Sequence, residues 1–441
     1  MQNAAPTWAN WAGNQRATEI EVVRPRDESE LAELVRGTAA SGRRLRPIGS
    51  GHSFTAIGVP EAVQIRLDHL SGIVRADRES GLVTVRGGTR LSDLNRALTV
   101  LGLAMTNLGD IEAQTIAGAL ATGTHGTGAR FGGLASQLRG FELLLADGSR
   151  MRCTTEENPE VFDLGRVGLG ALGIVTAVTL QTEPLFALTA REGSANLTEV
   201  MAAYDDLACG ADHFKFYWFP HTTAVLTKHN TRVRLDLDRT VLDPLSRART
   251  WWDDEFLSNT VFGATVALGN RRPGLVRPLA RLASRALSPR TYTDLSARVF
   301  TSPRRVRFVE MEYAVPRAVG MHVLRELVAA VERSAWRISF PVEVRVAAAD
   351  DIPLSTGYQR DNVYIAVHTP PGSPDREAYF ATLERIAGEV GGRPHWGKVH
   401  HLDAAAFRTR YPRFDDFVAL RDKLDPQRVF GNDHLAAILG P

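Results

Sequence analysis

Four short segments of the chain hold residues able to bind or transform a ligand. The first is Arg46-Pro-Ile-Gly-Ser-Gly-His-Ser-Phe54. A strand that ends in small residues exposes consecutive backbone N–H groups, and such a concavity binds a pyrophosphate without a lysine. The spacing matches neither the P-loop nor Gly-x-Gly-x-x-Gly, so a tight structural turn is the competing reading. The second is Gly118-Ala-Leu-Ala-Thr-Gly-Thr-His-Gly-Thr-Gly128. Small residues and hydroxyls fill it, which costs chain entropy unless a ligand lies against the backbone. Two such segments together point to a dinucleotide-sized ligand. His125 alone reads equally well as a structural histidine.

The third segment is Val342-Glu-Val-Arg-Val346. Strand alternation puts Glu343 and Arg345 on one face and the valines on the other. Opposite charges on a buried sheet face suit a polyhydroxylated substrate; the alternative is an exposed ion pair. The fourth is Arg393-Pro-His-Trp-Gly-Lys-Val-His400. Its tryptophan and glycine suggest an ordered loop in which Lys398 compensates an anion, against the alternative of a solvated lysine.

The elements around these segments alternate in the first half. Asp27 and Glu30 form a capping box for a helix that stops at Gly42, and residues 44–48 form a strand running into the first glycine-rich segment. Val63, Ile65 and Leu67 mark a further strand. Residues 72–77 and 82–86 pair around Glu79-Ser80-Gly81, and a helix from Leu91 to Leu101 closes at Gly102. Asp147-Gly148, between residues 141–146 and 150–154, reads as a hairpin turn, and residues 170–180 form a buried strand. Pro184 marks a domain boundary. Beyond it, residues 214–219, 306–313, 341–347 and 363–368 read as strands, with helices at 317–333 and 375–390.

The bulk numbers narrow the class. With 441 residues, 44% apolar and 23% charged, the chain is an ordinary globular protein of two or three domains. A net charge of +2 gives no argument for nucleic acid. The two cysteines, Cys153 and Cys209, exclude a disulfide framework and a cysteine-rich metal site and fit a reducing compartment; no metal is expected. The first residues lack a signal-peptide pattern and no window is apolar enough to span a membrane, so a cytoplasmic protein is expected. Residues 256–293 carry Arg271, Arg272, Arg277, Arg281, Arg285 and Arg290 among leucines, with no acidic residue. They read as a solvated helical face, or as peripheral contact of the 271–290 stretch with a membrane surface or an acidic acceptor.

Taken in order, these segments resemble the aldonolactone oxidoreductase and alditol oxidase branch of the vanillyl-alcohol-oxidase-type flavoproteins. Asn10-Trp11-Ala-Gly13, Leu169-Gly-Ala-Leu-Gly-Ile174 and Asp425-Pro-Gln-Arg-Val-Phe430 extend the likeness over nearly the whole chain. Arg307-Phe-Val-Glu-Met-Glu-Tyr-Ala314 is similar to the gulonolactone dehydrogenases of that branch.

The resemblance implies an α+β, two-domain flavoprotein. An FAD-binding domain of two small subdomains would span residues 1–183, with 400–441 returning to it. A cap domain, an antiparallel sheet flanked by helices, would span 184–399. Pro47, Ile48, Gly49, Ser50, Gly51 and Ser53 would hold FAD together with Thr115, Gly118, Ala119, Ala121, Thr122, Gly123, His125 and Gly126. Gly173, Ile174 and Val175 would pack on it, with Gly109, Asp110 and His395 nearby. His52 would bond the flavin covalently at the 8α-methyl carbon.

Glu343, Arg345 and Lys398 would be catalytic, Lys398 beside the flavin N1 and C2 carbonyl. Asp110, Glu343, Arg345 and His368 would touch substrate. The implied reaction is oxidation of a sugar lactone such as L-gulono-1,4-lactone, with hydride passing to flavin N5 and ascorbate or an analogue as product. Reoxidation would be by dioxygen, for which Gly109 leaves room, or by an acceptor such as cytochrome c. The alternative is an alditol or oligosaccharide oxidase acting on a polyol.

Overall fold

The computed structural model describes residues 7–235, 242–246, 249, 262–285 and 289–441. Three sheets organise it. The smallest is parallel, with Val63–Ile65 between Glu21–Val23 and Leu45–Pro47. The helix Glu28–Ala40 covers it, placing Leu31 and Val35 against Leu45, Val63 and Ile65. Asp27 starts that helix by accepting the N–H groups of Ser29 and Glu30, each at 2.9 Å, which satisfies donors a helix start would otherwise leave open.

The second sheet is antiparallel, in the order Arg150–Cys153, Leu138–Leu144, Ile174–Gln181, Leu82–Arg86 and Ile73–Ala76. Its first pair turns at Gly148, whose φ of 78° is open to glycine at no steric cost. The helix Leu91–Leu101 packs Leu94 and Leu98 into the same core and ends at Gly102 in the left-handed region, φ 73°.

The third sheet has eight strands, all antiparallel. Its order is Arg290–Leu295, Phe186–Asn196, Ala224–Arg234, His213–Trp218, Val342–Ala347, Asn362–Thr369, Val309–Pro316 and Arg393–Pro394. One face carries Phe214, Phe216, Val342, Val344, Ile365 and Met311 into a core closed by the helices Gly320–Arg333 and Arg376–Glu389. The expected strand at 306 starts at Val309, and the two eleven-residue strands Phe186–Asn196 and Ala224–Arg234 carry no alternation that marks them in the sequence. Residues 118–126, read as a loop, instead begin within a helix, Ile116–Ala121, capped by the Thr115 hydroxyl; alanine is a strong helix former and the run is alanine-rich.

The Arg-rich stretch divides. Residues 256–261 and 286–288 lie outside the described residues. Arg271 and Arg272 are exposed on or beside the helix Phe262–Arg271, whereas Arg290 pairs with buried Glu192 at 2.7 Å and so is no part of a surface patch. Among the described residues, no helix is long and apolar enough to cross a membrane.

Three helices near the end, Ala404–Arg410, Phe414–Leu424 and Asp433–Leu439, bury Phe407, Phe414, Phe417 and Ile438 in the core of the second sheet. The Leu45 N–H donates to the Val429 carbonyl at 2.8 Å. Arg46, 4% exposed, fastens the same junction. Its guanidinium donates to the carbonyls of Ile57, Leu169, Gly170 and Phe430 at 2.6–3.0 Å. Burial without a carboxylate partner pushes its pKa down to about 10. Arg46→Met would strand four carbonyls and is expected to cost roughly 3 kcal/mol or more, seen as a lower midpoint in chemical unfolding. A variant within about 0.5 kcal/mol of the parent, the range of an ordinary surface substitution, would mean that water replaces the guanidinium.

Candidate active site

The two small-residue segments meet. A Cβ on Gly49 would lie 2.3 Å from the Thr115 hydroxyl, so only glycine lets these backbones approach so closely. The Ser50 hydroxyl donates to the Ala113 carbonyl. Together they line a cavity with about 1460 Å³ of empty space, part of it open to solvent. Residues 47–53, Thr115, Gly118, Ala121, Thr122 and residues 173–175 are on its wall, joined by Gly87 and Gly88, which the sequence reading passed over. Ala119, Gly123 and Gly126 are not on that wall. Ala119 is in the core, and a Cβ on Gly126 would meet the Leu108 carbonyl at 2.3 Å, so this glycine serves packing.

A second cavity, with about 1120 Å³ of empty space, opens from the first, and His52, Ser53, Gln114 and Thr122 line both. Gly109, Asp110, His125, His395 and Lys398 line this second cavity and not the first. Its floor is the polar face of the eight-stranded sheet. Lys215 stands across from Arg345, Tyr217 from Glu343, and Glu310 from His368. The loop residue Asp110 reaches this face from the opposite side.

The charges interlock. Arg345 donates to Glu343 at 2.6 Å, and Lys215 bridges Asp110 at 2.6 Å and Glu343 at 3.1 Å. Asp110 also accepts from Tyr217 at 3.2 Å and from Arg304 at 3.1 Å. Burial works against every one of these carboxylates, yet the cations prevail. Arg345 and Lys215 hold Glu343 below its ordinary pKa, and Lys215 and Arg345 hold Asp110 well below. The pair of Glu343 and Arg345 is therefore buried and ionised, not an exposed surface bridge. The Arg345 Nε is buried with no hydrogen-bond acceptor among the described residues.

Lys398 pairs with Glu310, whose other neighbour is His368 at 3.5 Å. Against its burial, Lys398 and His368 hold the Glu310 carboxyl down to about 2. The Glu312 Oε1 has no hydrogen-bond partner among the described residues but faces the His125 Nε2 at 3.3 Å. His125, stacked on Tyr364 at 3.7 Å between ring centroids, gives its Nδ1 to the Gly126 carbonyl.

His125, Glu312 and His395 bring three ligating groups within 4.8 Å of one another. However, the His395 Nδ1 accepts the Gly397 N–H at 3.0 Å. Its neutral ring then carries the proton on Nε2, a hydrogen-bond donor and not a metal ligand. Lys215, Tyr217, Arg304, Glu310 and Glu312 were not anticipated. The last two had a visible signal: carboxylates at alternate positions of an otherwise apolar run, Val309-Glu-Met-Glu-Tyr-Ala-Val315.

The first cavity fits FAD. It is large enough for a dinucleotide, and its wall joins the small and hydroxyl residues Gly49, Ser50, Gly51, Ser53 and Thr115 to apolar Leu143 and Ile174. Residues 20–154 match the family described as FAD binding domain, and residues 178–438 match D-arabinono-1,4-lactone oxidase. The fold is that of a cholesterol oxidase from B. sterolicum, with a TM-score of 0.83 over 99% of this chain and 96% of that one at 18% identity. Fold and site together define an FAD-dependent oxidoreductase of the vanillyl-alcohol-oxidase type.

The chain is also similar to the L-gulono-1,4-lactone dehydrogenase of Mycobacterium tuberculosis, 40% identical over 440 residues, covering 99% of this chain and 100% of that one. It is 33% identical over 435 residues to the L-gulonolactone oxidase of Bos taurus, covering 97% of each. It belongs to the FAD-dependent aldonolactone oxidoreductases.

Burial sets a pH limit on this site. It pushes His52 from the ordinary 6.5 down to about 4 and His395 down to about 3. The folded state then binds fewer protons than the unfolded state between those values and 6.5, so stability rises with pH across that window. The unfolding temperature is expected to fall as pH drops below about 6.5. His395→Asn keeps an acceptor for Gly397 without titrating, and should flatten that slope; an unchanged slope would place the titration elsewhere.

Proposed function

We propose that the protein oxidises a sugar-derived lactone, L-gulono-1,4-lactone or a close relative, at a CH–OH carbon. The observation that carries this reading is the shared wall of the two cavities. A ligand on the backbone-lined side ends at His52, Ser53, Gln114 and Thr122, and the Glu343–Arg345 face lies beyond. Bound FAD supplies a two-electron hydride acceptor. Residues 47–53, Thr115, Gly118, Ala121, Thr122 and residues 173–175 would hold it. His52, which lines both cavities, would bond it covalently.

Glu343 accepts from substrate hydroxyls and Arg345 donates to them, which orients the carbon to be oxidised; orientation is worth several kcal/mol of barrier. Both side chains are pinned by Lys215 and Asp110, so little reorganisation is needed when substrate arrives. Arg345 places fixed positive charge where the hydroxyl oxygen loses its proton. Lys398 adds positive charge on the same wall, and His368 with Asp110 completes the contact surface for a small polar ring. Dioxygen or a protein acceptor such as cytochrome c removes the electrons. The exposed Arg271 and Arg272, with Leu282 at 66% exposure, support contact with an anionic membrane surface.

Anaerobic mixing with L-gulono-1,4-lactone is expected to bleach the flavin absorbance, and with xylitol to do so far more slowly. Faster bleaching by xylitol would move the assignment to an open-chain polyol. Lys398→Met is expected to bind FAD in full but to lose roughly a hundredfold in flavin reduction rate, the scale of one removed electrostatic contact. Stopped-flow traces indistinguishable from the parent would remove Lys398 from the reaction.

A further inference from the structure

The histidine on the shared wall is held in an unusual way. Among the described residues its ring makes no hydrogen bond and no ion pair. The charges that act on it, Lys398 and Arg90, are both positive and oppose its protonation. A residue that must present a free nitrogen lone pair to carbon needs this freedom, but it then lacks the polar contacts that normally orient an imidazole.

The N-terminal hairpin supplies the orientation instead. Trp8–Ala9 pairs with Arg16–Ala17, and the turn between them lies on the His52 loop. The Trp11 N–H donates to the Gly51 carbonyl at 2.7 Å, and the Asn10 amide donates to the Ser53 carbonyl at 2.9 Å. The Asn14 and Gln15 amides both donate to the Phe54 carbonyl, at 2.8 and 3.1 Å. The carbonyls on both sides of residue 52 are thus gripped by one turn. The Trp11 indole then stacks on the His52 ring, with 5.4 Å between centroids and 26° between planes. Its own plane is set in turn by edge-on contact with Phe308 at 5.1 Å and Phe54 at 6.4 Å.

We infer that Trp11 is a positioning residue for covalent attachment of the cofactor, fixing the plane of the His52 imidazole by stacking. This rests on the reading of His52 as the attachment point. In that attachment an imidazole N–H and a C–H bond of the 8α-methyl group would give way to one N–C bond; the two protons would go to water and the electron pair into the flavin, from which dioxygen or the protein acceptor of turnover would remove it. The hairpin leaves both ring nitrogens unengaged while the stacked indole restricts rotation of the ring. Trp11 also lines the neighbouring cavity, so activity alone cannot report on this role; the attachment itself must be read.

The experiment compares the parent protein with Trp11→Phe and Trp11→Leu. Three quantities are measured: total bound FAD, the fraction that stays with acid-precipitated polypeptide, and the rate at which FAD added to flavin-depleted protein becomes acid-stable. All three proteins should bind FAD. W11F, which keeps a stacking ring, should attach it within about twofold of the parent rate, and W11L should be slower by about fivefold, the scale of a lost aromatic pair. W11L attaching at the parent rate, or W11F as slow as W11L, overturns the inference. Should W11L fail to fold, Asn14→Ala loosens the hairpin without touching the ring. Slower attachment in N14A supports the inference, and parent kinetics count against it. A parent protein with no acid-stable flavin refutes the attachment point itself, which is a separate result.

Discussion

Arg46 leaves an edge strand of the three-stranded parallel sheet with its charge buried, and the protein itself has to solvate it. Four carbonyls do so, from the turn at Ile57, the loop at Leu169 and Gly170, and Phe430 near the end of the chain. An arginine suits this role because its donors form a rigid fork that reaches several acceptors at once. The consequence is geometric. The strand that carries Arg46 runs directly into the glycine-rich turn at 49–53, and the loop it holds at 169–170 runs directly into Gly173 and Ile174. Two walls of the cofactor cavity are thereby set at a fixed distance by one side chain that does no chemistry.

The polar floor of the second cavity obeys a different constraint. Lys215 and Arg345 stand directly opposite on neighbouring strands, an arrangement that is unfavourable on its own. It is tolerated because Asp110 and Glu343 lie between them, each within ion-pair distance of both cations. Removing one partner would leave its neighbour buried and uncompensated, which costs far more than the pair contributes. The apolar side chains of the same strands face two helices, so a register shift of one residue would send the charges into the core. Packing on one side of the sheet therefore guarantees the order of charges on the other.

Much of this was legible in the sequence wherever a local rule governed. The cap at Asp27, the stop at Gly102, the turn at Asp147-Gly148 and the shared face of Glu343 and Arg345 depend on near neighbours, and the structure has them as expected. The residues that were missed depend on distant ones. Lys215 sits in an aromatic run that reads as core, and its partners Asp110 and Glu343 are 105 and 128 residues away. Nothing in a single sequence couples such positions. The strands Phe186–Asn196 and Ala224–Arg234 escaped because their faces are only partly buried and their polar residues blur the alternation. The helix Ile116–Ala121 escaped for the opposite reason: its small residues suit both a ligand-binding turn and a helix, and the Thr115 cap starts the helix.

The pairing of residues 45–59 with residues 429–432 also sets an order of events in time. Leu45 and Arg46 bond to Val429 and Phe430, and Asn432 donates to the carbonyls of Ala56 and Val59 at 2.9 and 3.0 Å. Phe430 follows Arg46 by 384 residues, so during synthesis the strand that leads into the first glycine-rich turn waits for this brace until residues 429–432 have been made. The junction that Arg46 fastens therefore closes late, whatever the order in which its other contacts form.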